Sequence, residues 1–289
     1  MRISWSLVPL LLALPLAAQQ KIDRRIPVAS DASIRITNMA GLTRVTGWDL
    51  DSIAVTGSVP AGANFYLAGR GQYAKMGVER RDETLAEPGS TLEVKVPRNA
   101  RVWVKSGTAN IEVTGLRGEV ECVSVSGSIR VEGSLKLLIA ESMEGNLNAS
   151  GPMDVVRLKG GAGTITIRGP RGDISASTVG GAIVAMDGAV VRAHLETVSG
   201  TIAYDGSLDP RGTLESVTHS GDVTLRLPPE ISAEFDLESF DGAMLVGIGG
   251  KGGKGEKSLK GKPLSFVTGA GGSHVVVRSF KGEIRILNR

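Results

Sequence analysis

Three histidines, a scatter of surface carboxylates, one cysteine and a recurring hydroxyl are the groups in this chain that could do chemistry. His194, His219 and His274 do not fall at metal-ligand spacing, and no nucleophile elbow, phosphate loop or zinc motif accompanies them. A glycan-cleaving site would need carboxylates, or Lys and Arg, gathered on one outer face. Glu141 and Lys159 stand one repeat apart and read as a surface pair, worth little. Asp187 and Asp205 each precede a glycine, which turn chemistry explains, with a calcium site as the sharper alternative. Cys122 is the one cysteine, so no internal disulfide is possible, and its position reads as a buried, inert thiol. No catalytic residue, metal site or cofactor site is therefore expected.

The elements that carry these groups come from a repeat. From Cys122 to Leu225 the chain repeats Ser or Thr, two residues, Gly, one residue, then Ile, Leu or Val. The anchor glycines are Gly127, Gly145, Gly163, Gly181, Gly200, Gly221, Gly242 and Gly282, with spacings of 18, 18, 18, 19, 21, 21 and 40, so the last gap is expected to hold two repeats. Two residues after them stand Ile129, Leu147, Ile165, Ile183, Ile202, Val223, Met244 and Ile284, all apolar. Alternation with small or polar residues marks strands with one buried face. Three residues before the anchors, seven of eight positions are Ser or Thr, and a hydroxyl fixed at one phase can satisfy a bend's backbone. Further glycines at 133, 151, 169, 188 and 206 suit corners where φ turns positive.

A unit of 18 residues cannot bury its apolar face alone but can when stacked on copies of itself. The expected fold is all-β: a β-solenoid, a right-handed parallel β-helix with about 18–21 residues per coil and an N-terminal cap. A β-sandwich or a propeller is the alternative, and the short period argues against a propeller. Residues one and three after the anchors should form a flat, charge-poor outer strip. Asn146, Asn148, Thr164, Thr166 and Thr201 are its candidate binding residues, for a glycan or an envelope protein, against the plainer reading of an ordinary exposed sheet face.

Residues 1–18 read as a secretory signal: Arg2, an apolar run from Leu7 to Leu16, then Ala17-Ala18. Residues 19–105 read as an N-terminal cap with early β coils and a short helix around Ala61–Leu67, and residues 106–289 as the repeats. Residues 247–263, with five lysines among glycines, read as a surface loop. No later run of 18 apolar residues follows the leader, so no transmembrane segment is expected. Net charge is +3, from 33 Lys+Arg and 30 Asp+Glu, which argues against nucleic acid as partner.

Three stretches carry a family resemblance. They are Asn38…Gly41…Val45-Thr46-Gly47-Trp48-Asp49, then Leu92 to Ala100, then the Val125-Ser126-Gly127-Ser128-Ile129 repeats. Together they resemble the exported bacterial β-strand-repeat proteins of unknown function grouped as "putative adhesins". The resemblance implies an exported, envelope-associated solenoid; with no catalytic signature among the motifs, the expected role is a non-enzymatic, adhesin-like binding or scaffold module in the periplasm or at the cell surface. Because glycan-cleaving enzymes also use parallel β-helices, a carbohydrate-active enzyme is the alternative.

Overall fold

A computed structural model describes residues 19–79, 89–248, 256–258 and 261–289; the leader-like residues 1–18 and most of the lysine-rich stretch 247–263 lie outside these. The described chain is all-β, with twenty-five strands and no helix. The strands hydrogen-bond into one continuous sheet.

The eighteen-residue period becomes register. Leu147 lies beside Ile165 and Ile165 beside Ile183, in parallel strands. Ile129, Leu147, Ile165, Ile183, Ile202, Val223, Met244 and Ile284 are each at most 1% exposed. A second row places Val104, Cys122, Ala140, Leu158, Ala176 and Leu195 side by side. Both rows point into one apolar core. Burying each Val, Leu or Ile contributes roughly 1.5–3 kcal/mol, so like-over-like stacking stabilises every coil through its neighbours.

The corner between the rows is built from the hydroxyl and the anchor glycine. Ser142 Oγ accepts from Gly145 N at 3.0 Å and donates to Gly127 O of the adjacent coil at 3.1 Å. Thr197 and Ser239 make the same two bonds in their own coils, while Ser124 and Thr178 accept from their anchors in the same way but donate to Gly107 O and Gly161 O, two residues before the anchor position of the adjacent coil. The hydroxyl thus satisfies one donor inside its bend and one acceptor across the stack. A Cβ on Gly163 would stand 2.2 Å from Gly145 O, so the anchor is glycine because neighbouring backbones nearly touch there. Of the five corner glycines expected to need positive φ, Gly151 and Gly169 have it. In the coil after them Asp187, with φ 57°, takes that conformation in place of Gly188.

Longer repeats keep the register by bulging. The strand Ile183–Thr197 pairs with Ile202–Thr218 through irregularities at Met186/Gly188 and Val190/Arg192. These absorb the extra residues of the repeats spaced 19 and 21 apart.

At both ends the stacking order departs from the chain order. Ser33–Thr37 pairs in parallel with Tyr73–Glu79 on one side and Arg101–Lys105 on the other. Gly41–Trp48 likewise lies between Ser90–Pro97 and Asn110–Leu116. At the far end Ser273–Ser279 lies between the segment from Thr213 to Thr218 and the strand Ala233–Ser239. Antiparallel strands cover the outermost coils: Asn64–Arg70 and Ser52–Val59 at one end, Leu264–Thr268 and Glu256–Ser258 at the other.

Ala61–Leu67 is not a helix: Ala61 and Gly62 turn, and Asn64–Arg70 is a strand. Phe65 and Tyr66 suit a strand, and the free edge of Tyr73–Glu79 is there to pair with them. The forty-residue gap before Gly282 holds antiparallel cover, rather than a further parallel coil, among its described residues.

Candidate functional site

On the outer side of the second row, polar and aromatic side chains collect near the N-terminal end. Alternation places them: Ile34 and Ile36 point inward, so Arg35 points out, and Trp103 points out between Val102 and Val104. Register then sets Arg35, Trp103, Glu121 and Ile139 in one line across four strands, and Ser33, Arg101, Glu119 and Leu137 in the next. These two lines enclose a groove of about 440 Å³. A second hollow of about 390 Å³ adjoins it through Ser33 and Arg35 and is lined further by Tyr73 and Lys75.

The tryptophan, arginine and carboxylate groups of the groove pair with one another. Trp103 Nε1 donates to Glu121 at 3.1 Å, and the Arg35 guanidinium lies 5.9 Å from the Trp103 ring centre. Arg101 pairs with Glu119 at 2.8 Å. Leu137 and Ile139 close the groove with half-buried apolar side chains. The result is a flat indole with guanidinium and carboxylate groups placed around it. Such a surface can stack on an apolar ligand face while exchanging hydrogen bonds at its edges.

The five residues chosen from the sequence lie on the other row. Asn148 is beside Thr166 in register. Asn146 Oδ1 accepts from Thr164 N at 2.9 Å, and Ser128 Oγ from Asn146 N at 3.3 Å. The strip's first column thus caps backbone donors of the next coil. The structure brings Asn146, Asn148, Thr164 and Thr166 together, while Thr201 lies beyond Ala182 and Val184.

His194 bonds Glu215 through Nδ1 at 3.1 Å and faces Glu196 at 3.5 Å. His274 Nε2 meets Asp236 at 2.9 Å. The hydroxyl of Ser265, and then His274, hold the Asp236 carboxyl below the usual carboxylate range. His219 stacks on Phe280 with ring centres 5.0 Å apart. Asp187 and Asp205 share the Arg289 guanidinium, at 2.8 and 2.9 Å, in the position where a calcium ion had been the alternative. Cys122 is fully buried, and burial pushes its thiol far above the ordinary range. Among the described residues, no cluster of three or more His, Cys, Asp or Glu could hold a metal.

Asn38, in the stretch that carries the family resemblance, is structural. Its buried amide donates to Thr43 Oγ1 at 3.1 Å and to the Leu42 and Ser90 carbonyls. Arg44 bridges Glu93 and Glu112 across three strands, and those bonds raise its pKa.

No protein-family model matches the chain, and no curated protein does either. Among solved structures it is similar to one from Clostridium sporogenes, described as "a putative cell adhesion protein", at 12% identity. That alignment covers 93% of this chain and 100% of the other, with a TM-score of 0.24. No helix among the described residues is long and apolar enough to cross a membrane.

Proposed function

We propose that the protein is an exported β-solenoid, a right-handed parallel β-helix, that serves as an adhesin-like binding or scaffold module at the bacterial cell envelope and does no catalysis. The solenoid reading is supported by parallel strands eighteen residues apart lying side by side with like residues over like. The division into leader 1–18, cap 19–105 and repeats 106–289 belongs to the same proposal, and the leader's composition supports export.

The observation that carries the binding reading is the Trp103 groove. It joins an indole, two guanidinium groups and two carboxylates on one sheet, where four hydrogen-bonded strands fix the register of the residues that carry them. That chemistry fits a glycan, whose ring faces are apolar and whose edges carry hydroxyls. Binding of the purified chain to an array of envelope polysaccharides tests it. Wild type should bind, and Trp103→Ala should weaken binding at least about tenfold, the loss of roughly 1.4 kcal/mol, with an unchanged melting temperature. Equal binding by the variant, or no glycan bound by wild type, would overturn the groove. Shortened glycan chains would instead favour the carbohydrate-active enzyme.

A further inference from the structure

The corner column just after the hydroxyls forms an apolar line that the fold leaves open. Val125, Met143, Val179 and Val198 are 56%, 57%, 61% and 50% exposed, and Phe280 and Phe240 are 43% and 67% exposed. Backbone bonds run along this corner from coil to coil: Val125 N to Gly107 O, Met143 N to Val125 O, Val179 N to Gly161 O, His219 N to Val198 O. At the C-terminal end the rings of His219, Phe280 and Phe240 stack in turn, 5.0 Å between centres. At the other end Met39, 44% exposed, leans its methyl over Gly107. The column therefore makes one straight ridge over ten coils, about 43 Å long at the spacing of hydrogen-bonded strands. Its apolar side chains leave roughly 500–700 Å² open, at or beyond the upper end of the ~300–600 Å² of a typical monomer's largest patch.

We propose that this ridge is the interface of a two-fold, antiparallel dimer of the chain. A line one residue wide can be covered along its whole length only by a partner with the same rise per coil, and a second copy has that rise by construction. Reversing the ridge on itself sets Val179 against Gly161, Met143 against Val198, Val125 against His219 and Phe240 against Met39. The bulkiest side chains then face flexible or small ones, as an isologous contact requires. The open apolar area, with the flanking Ser126, Ser199 and Ser220 as a polar rim, approaches the ~800 Å² per partner of a standard interface. The dimer leaves the Trp103 groove out of the contact and does not depend on what that groove binds.

Sedimentation equilibrium of the purified chain is the test. Wild type should dimerise at micromolar concentration, and Val179→Lys should sediment as a monomer with an unchanged melting curve. A short bis-maleimide should also link Met143→Cys to Val198→Cys in a mixture, more than either to itself, since Cys122 is buried and silent. A wild-type monomer up to about 100 µM, well above the affinity such an area supports, would overturn the proposal. So would a dimer that survives Val179→Lys, or a ridge that instead takes up lipid vesicles while the chain stays monomeric.

Discussion

An anchor glycine answers to the coil beside it. The Cβ that alanine would place at Gly163 meets the Gly145 carbonyl oxygen at 2.2 Å, and that oxygen is backbone and cannot swing away. At Gly180, which is not an anchor but the residue just before the anchor Gly181, the nearest atom to such a Cβ is Ser199 Oγ at 3.8 Å. Gly163→Ala should therefore cost about 2–3 kcal/mol, as overpacking does, while Gly180→Ala should stay within about 0.5 kcal/mol. Thermal melts of the two variants check this; equal melting would remove close approach as the reason for the repeat. A second residue-scale expectation concerns acid. Because Asp236 is held below its unfolded value of about 3.9, its stabilising contribution is complete above that pH and is lost as pH falls through the lower folded value. The melting temperature should drop below about pH 4, and Asp236→Asn should flatten part of that drop, measured by melts across the acid range. At this scale the hydroxyl column was legible, because Ser or Thr three before Gly is a local bond and spacing alone reports it. The Arg289 bridge was not, because Asp187 lies 102 residues from its partner.

Strands were legible wherever the period held. Alternation about each anchor predicted the buried faces, and the structure aligns those positions without slippage from Ile129 to Ile183. Where local composition had to decide alone, it failed: Ala61–Leu67 has residues tolerant of a helix, but an unpaired neighbouring strand edge recruited Asn64–Arg70 into the sheet. The Trp103 groove escaped notice for a related reason. Its coil carries Ala109 at the anchor position, so a search keyed on glycine begins one coil too late. Extending the columns back would have found it, since Val104 falls beside Cys122 and Ile111 beside Ile129. Trp103 then stands in an outward column next to Glu121. The strip from Asn146 to Thr166 was assembled correctly as a surface, but its first column spends oxygen atoms on the next coil's backbone, which composition does not reveal.

The molecule as a whole is ordered differently from its sequence at both ends, and this has a mechanical consequence. The coil Ser273–Asn288 has parallel neighbours on both sides, while among the described residues the earlier coil Ala233–Val246 pairs in parallel only with it. In a stack that followed chain order, damage to the last coil would spare the one before it. Here the dependence runs the other way. Val277 is fully buried between Ser216 and Leu237, so Val277→Asp places an unpaired charge in the core, a cost of several kcal/mol. Hydrogen exchange should then show protection lost in Ala233–Ser239 and Met244–Val246 together with the mutated coil, and kept in Leu147–Ser150 and Ile165–Arg168. Protection persisting at Phe235 and Leu237 in that variant would mean that the outer coil holds to the stack without the inserted one, and the exchanged order would then have no part in sealing the end.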